Sequence, residues 1–302
     1  MTHYPVPVQK TQVEIKALNW RRRIVRILLL LAWGLMLLFG LLSISWLAGP
    51  VVNAAASTGQ PDSSVIHHAD ALTSHVHVPP ITETEVCQPI LGERFGVLRV
   101  NPPPTDRPAD AHADLNLALR GHQPVTAHLG PVDYSGSGDP NAPRFAGLFL
   151  DNRSPAFSSV HQVHDWNWGC NCRGPLIAYP AVTLAGLTVT PGETIHVPDS
   201  GYTIGNGYEV LVLHASPDRI TLKYTRDDDV VNGYTLHLQG ICVEPSLLAL
   251  YQTWNSYGRG QLPALRPGQA FGRARGDEIG LAIRDNGAFM DPRSRKDWWQ
   301  GR

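Results

Sequence analysis

The 302-residue chain is poor in charge: Asp, Glu, Lys and Arg make up 17% of it, against roughly 25% in soluble domains. A basic body is missing as well. Residues 1–26 hold Lys10, Lys16, Arg21, Arg22, Arg23 and Arg26 against Glu14 alone, a net of +5, so the rest carries −6 within a total of −1. That argues against a nucleic-acid partner, which needs a basic face. Gly-x-Ser-x-Gly, the Walker loop and a His-Glu-x-x-His helix do not occur, which removes the commonest serine-hydrolase, nucleotide and helical zinc-protease signatures. No internal repeat at a fixed period is present. Gly (28) and Pro (25) are enriched, yet short of a disordered composition.

The longest gap in charge runs from Ile27 to Pro61. Within it Ile27–Leu47 is nearly all Leu, Ile, Ala, Trp, Met and Phe, long enough at about 1.5 Å per residue to span a hydrocarbon core of roughly 30 Å. Residues 27–48 are therefore expected to form a single transmembrane helix. The Arg21–Arg26 cluster places the tail 1–26 inside by the positive-inside rule, and Trp20 and Trp46 bracket the span as interfacial aromatics. A cleavable signal peptide ending near Ala54-Ala55-Ala56 is the alternative, although its apolar core is usually only about 7–15 residues. Either way the rest of the chain is exported. Residues 49–86 read as a flexible tether, in which His67, His68, His75 and His77 could pick up a metal ion weakly.

All four cysteines (Cys87, Cys170, Cys172 and Cys242) follow the apolar span. An even count in an oxidising compartment predicts two disulfides. A Cys170–Cys172 bridge would close a very small ring, so each is expected to pair at long range with Cys87 or Cys242. The rival reading is a zinc site of His161, His164, Cys170 and Cys172, whose C-x-C spacing departs from the usual knuckle.

Residues 182–302 are β-rich. Ile220, Leu222 and Tyr224 alternate with polar neighbours, as do Tyr234, Leu236 and Leu238, and Ile279, Leu281 and Ile283 recur with the same period, which predicts half-buried strands. Glu209–His214 is continuous enough to be a central strand covered on both faces, and Asn232-Gly233 signals a hairpin. Leu247, Leu250, Tyr251 and Trp254 follow a helical period after Pro245 and before Gly258. The expectation is a mainly β, antiparallel domain with one helical excursion. Residues 87–181 are less regular, with a Pro-rich stretch at 102–108 and a short candidate helix at Ala109–Leu119.

Four stretches carry a family resemblance. Gly192–Gly201, Gly207–His214, Leu265–Gly272 and Ile283–Pro292 are similar, in that order, to the strands and turns of lysostaphin-type zinc metallopeptidases. The resemblance covers roughly 185–295 and implies their duplicated hybrid motif fold, often used on bacterial cell-wall peptides. Such enzymes hold zinc with an H-x-x-x-D pair and the second His of H-x-H. His161-Gln-Val-His-Asp165 matches the first pattern, so His161 and Asp165 are the metal candidates, but they lie about 27 residues ahead of Gly192. His112–Asn116 is a near miss. The H-x-H positions fall on Glu278 and Gly280, and Arg226 stands where the Y-x-H strand needs an imidazole. An arginine neither ligates zinc nor accepts a proton, so no catalytic residue is assigned.

The densest chemistry is Val160–Gly174, where Trp166 and Trp168, two apart on a strand, share a face. They and Arg226 are the candidate ligand-binding residues. Asp227-Asp228-Asp229 reads as a solvated hairpin tip, His237 as an exposed strand residue, and Trp298 and Trp299 as packing back on the domain. The arginines of the last forty residues could meet anionic wall polymers. The leading reading is an exported binding module anchored in the bacterial cytoplasmic membrane: a degenerate, non-catalytic peptidase-like domain without cofactor that binds cell-wall material or an envelope protein. The alternatives are an active zinc hydrolase using His161, Asp165 and a third ligand such as His214 or His237, and a structural subunit of an envelope complex.

Overall fold

The computed structural model describes residues 87–300. The expected membrane helix, tail and tether at 1–86 lie outside the described residues, among which no helix is long and apolar enough to cross a membrane. Strands are numbered in chain order. The main sheet runs β1 (Gly96–Arg99), β11 (Gln261–Leu265), β7 (Val210–Ser216), β8 (Arg219–Lys223), β9 (Tyr234–Gln239), β13 (Glu278–Asp285), β5 (Leu184–Thr188), β3 (Phe157–Asn167) and β2 (His122–Pro124), with every neighbour antiparallel. Two further strands, β14 (Ala288–Met290) and β4 (Cys172–Leu176), fold back on β13 and β3. A small second sheet joins β10 (Ile241–Val243), β12 (Ala270–Ala274) and β6 (Thr194–His196). Strands from both sides of position 182 belong to one sheet, so 87–181 shares its scaffold with 182–302.

The predicted alternation sets one face of this sheet. Ile220, Leu222, Leu236, Leu238, Leu281 and Ile283 are buried in one core with Phe145, Phe149, Trp298 and Trp299. Trp298 stacks on Phe145 at 5.3 Å, and its indole N–H donates to the Asp291 carbonyl. The Trp299 indole N–H is likewise satisfied, by the Pro292 carbonyl. Both tryptophans pack back as expected. Trp298 and Trp299 are thus core residues, and truncating either indole to Ala removes about 3–5 kcal/mol of packing.

The predicted helix is α1 (Pro245–Ser256). Glu244 caps it by accepting from the Ser246 and Leu247 amides, Pro245 occupies the first turn, and Leu247 and Tyr251 are its buried stripe. The expected helix at Ala109–Leu119 is instead two separate 3₁₀ turns, Ala109–Ala111 and Leu117–Leu119, parted by an extended His112. This segment is drawn along the sheet by contacts that a regular helix would not allow. Leu115 offers its carbonyl to Thr221 Oγ1, Asp114 pairs with Arg284, and Leu117 packs with Val163, Leu184, Ala282 and Phe289. A strap therefore covers the sheet face that alternation assigns to water.

Two sequence expectations are corrected by that cover and by one ion pair. His237 is buried under the strap rather than exposed, and Lys223 and Thr235, beside it on the same face, are buried too. The Asp227–Asp229 run is not a solvated tip, because Asp228 is buried against Arg259. The hairpin signalled by Asn232-Gly233 is present, since β8 and β9 pair antiparallel, although the two residues do not form its whole turn. Gly233, at φ +65°, leads into β9, and the β8–β9 connection is the longer loop 224–233.

Candidate functional site

The two disulfides are Cys87–Cys242 and Cys170–Cys172. The first is a long-range pairing. The second corrects the expectation that neither Cys170 nor Cys172 would bridge the other. Asn171 between them takes a left-handed φ of +51°, a conformation asparagine tolerates, and this turn folds the two side chains together at the tip of the β3–β4 hairpin. With both thiols oxidised, no thiolate remains for the four-residue zinc cluster.

This hairpin tip assembles an aromatic platform. Trp166 and Trp168 lie edge to face with ring centroids 6.4 Å apart, and His112 meets the edge of Trp168 at 5.2 Å. Arg107 lies over the Trp168 ring, 4.8 Å from its centroid. The guanidinium is fixed from two sides: Nε and Nη2 donate to the two Asp106 carboxylate oxygens at 2.9 and 3.1 Å, and Nη1 donates to Asn171 Oδ1 at 3.2 Å. These bonds hold the Asp106 carboxyl below its ordinary pKa and raise that of Arg107. Burial pushes His112 below the usual imidazole value, and its Nδ1 accepts from the Asp114 amide. The tip thus presents a neutral imidazole, a fixed cation and two indoles. Trp168 is 43% exposed. Sequence reasoning singles out the two tryptophans and places Asn171 in the same Val160–Gly174 stretch, but it reads His112 only as a near-miss metal motif and gives Arg107 no role.

The other predicted residues do not join this tip. Arg226 donates to the Arg99 carbonyl. His161 and Asp165 lie on one extended strand four residues apart, about 13 Å along the chain. Asp165 accepts from its neighbour's amide, Trp166, and from Arg120, whereas the His161 ring faces His122. His164 Nδ1 is engaged with the Gly174 carbonyl. Among the described residues no three His, Cys, Asp or Glu side chains are grouped to hold a metal ion.

A second polar assembly lies under the strap. His214, Thr221 and His237 sit in register on three adjacent strands. Thr221 Oγ1 donates to the Leu115 carbonyl at 2.6 Å, so the 3.0 Å contact with His237 is donated by the imidazole Nδ1. The remaining His237 nitrogen, Nε2, is buried without a partner, as is His214 Nδ1, while His214 Nε2 meets Asp110 at 2.9 Å. Burial drives the His237 ring well below its ordinary pKa, helped by the Arg284 charge, and burial also lowers His214. Neutral, buried rings of this kind brace the strap on the sheet, beside a small cavity that Leu117, Leu184, Arg219 and Gln239 also line. No family model matches this chain, and no curated protein or solved structure matches it either.

Proposed function

We propose that this chain is an exported, membrane-anchored binding module of the bacterial cell envelope, non-catalytic and built on a degenerate lysostaphin-type domain, whose contact surface for cell-wall glycan is the β3–β4 hairpin tip. The observation that carries this reading is the exposed Trp168 ring, pinned by the Cys170–Cys172 bridge, Arg107 and His112. An indole face carries negative quadrupole charge and attracts the C–H face of a sugar ring. A guanidinium beside it pairs with carboxylates, which cell-wall muropeptides carry. A platform fixed before binding loses little side-chain entropy on contact. The residues at the positions where the family needs imidazoles support a non-catalytic role. Glu278 accepts from Ser158 and Ser159, and Arg226 is engaged with backbone.

The test is co-sedimentation of the full-length chain, purified in detergent, with insoluble peptidoglycan sacculi, alongside an assay for newly liberated amino groups. Saturable binding that weakens at least tenfold in Trp168→Ala and Arg107→Ala, with no amino groups released, is the expected result. Equal binding by the variants, or steady release of amino groups, overturns the reading.

A further inference from the structure

Away from the hairpin tip, β2 and β3 bring two imidazoles together. Their register pairs His122 with Val163 and Pro124 with His161, so His122 and His161 are diagonal neighbours on one face. The Nδ1 atoms are 3.2 Å apart, and the rings stand nearly perpendicular at 78°. Two nitrogens bound to one tetrahedral ion at about 2.0–2.1 Å each lie roughly 3.3–3.4 Å from one another. The two ring nitrogens therefore already stand close to a shared-ion separation.

The outward nitrogens are also held. His161 Nε2 contacts Ser159 Oγ at 3.0 Å, and Ser159 donates onward to Glu278 Oε2 at 2.8 Å. His122 Nε2 lies 3.2 Å from the Gln239 side-chain amide. A histidine whose far nitrogen is tied to a hydroxyl–carboxylate relay is the arrangement that orients metal-binding imidazoles and raises their basicity. Gly186 makes room for the relay. A Cβ there would stand 2.2 Å from Ser159 Oγ and 2.3 Å from Glu278 Oε2. Burial lowers the pKa of both rings. Because Ser159 donates to Glu278, His161 Nε2 donates to Ser159 and His161 Nδ1 carries a lone pair; the 3.2 Å contact is then a hydrogen bond from His122 Nδ1, and an ion bound between the rings displaces that one proton.

We propose that His122 and His161 form a chelating pair for one divalent transition ion of the zinc or copper class, bound through both Nδ1 atoms with water or an external ligand completing the shell. Imidazole donors suit such ions. The pair excludes Asp165, which is committed to Arg120 and its own strand. It uses none of the hairpin-tip residues, so it stands or falls independently of glycan binding.

The test is zinc titration of the metal-free full-length chain by calorimetry, in a background where His67, His68, His75 and His77 are replaced by Gln to remove the tether's histidines. One zinc per chain is expected, with affinity falling at least tenfold in His122→Gln and in His161→Gln and unchanged in Asp165→Asn. No zinc uptake, undiminished affinity in His122→Gln, or loss in Asp165→Asn overturns the assignment. Should a histidine variant fail to fold, ¹⁵N spectra of the parent chain decide. Zinc must move the ring-nitrogen signals of His122 and His161 and leave His164, His214 and His237 in place, and any other pattern refutes the site.

Discussion

Arg259 and Asp228 meet in a buried two-point ion pair, with Nη2 2.6 Å from Oδ1 and Nε 2.8 Å from Oδ2. The rest of the guanidinium reaches the Leu213 carbonyl and Asn255 Oδ1, and Asp228 also accepts the Thr105 amide. The pair therefore ties β7, α1, the 224–233 loop and the Pro-rich stretch to one another. Removing one partner strands the other charge without water. Asp228→Asn and Arg259→Met are expected to cost about 3–5 kcal/mol each in denaturant unfolding followed by tryptophan fluorescence. Arg259→Lys keeps the charge but loses the planar fork, and should recover less than half of that loss. Near-wild-type stability in Arg259→Met would contradict this account.

Lys223 gives the fold a measurable alkaline signature. Burial pushes its ammonium down from 10.5 to about 8, against the nearby Asp229 and Asp227, while Nζ still donates to the Asn232 carbonyl and Thr235 Oγ1. Between pH 8 and 10.5 the native state has released this proton and the unfolded state still holds it. Stability therefore rises with pH across that window, and the penalty is complete below pH 8. The gain is on the order of 3 kcal/mol over the whole window. In Lys223→Met the rise should vanish, which denaturant midpoints from pH 7.5 to 10 would show.

How far the sequence foretold this molecule depends on what alternation encodes. It states which residues of a strand share a face, and so β8, β9, β13 and the burial of their apolar rows were legible. It does not state what lies on the other face. Alternation assigns Lys223, Thr235 and His237 to water because their cover is the strap at 109–121, a non-periodic segment that binds through Asp114, the Leu115 carbonyl and Leu117. Asp228 was misplaced for a similar reason: its partner lies 31 residues away, at a left-handed position just beyond α1. At the candidate site, Trp166 and Trp168 stand out by residue type, although Trp168 lies in the turn beyond β3 rather than on its face. Arg107 does not, since nothing in a Pro-rich stretch indicates that it will lie on an indole.

Glu209 should act on the acid side with the opposite slope. Burial raises its carboxyl from 4.5 to about 7, and one oxygen, Oε1, has no hydrogen-bond partner. Between pH 4.5 and 7 the native state keeps the proton that the unfolded state has lost. Stability accordingly falls as pH rises through this window, by up to about 3 kcal/mol. Glu209→Gln is expected to flatten the profile between pH 5 and 7. A variant profile parallel to wild type would assign the slope to other groups.

The two disulfides are expected to separate stability from binding. Cys87–Cys242 joins residues 155 positions apart, whereas Cys170–Cys172 spans only 2. A cross-link stabilises chiefly by restricting the unfolded chain, and the effect grows with the loop it closes. Cys87→Ser/Cys242→Ser should therefore lose about 2–5 kcal/mol in denaturant unfolding while the surviving folded fraction still binds sacculi. Cys170→Ser/Cys172→Ser opens only a very small loop and should shift stability by about 1.5 kcal/mol. It frees the tip that holds Asn171 against Arg107, so the Trp168 platform loses its fixed geometry. Sacculus binding should fall severalfold in this variant with only that small loss of stability. The reverse pattern, intact binding with a large loss of stability, would make the small bridge a fold-stabilising element and leave Trp168 without its support.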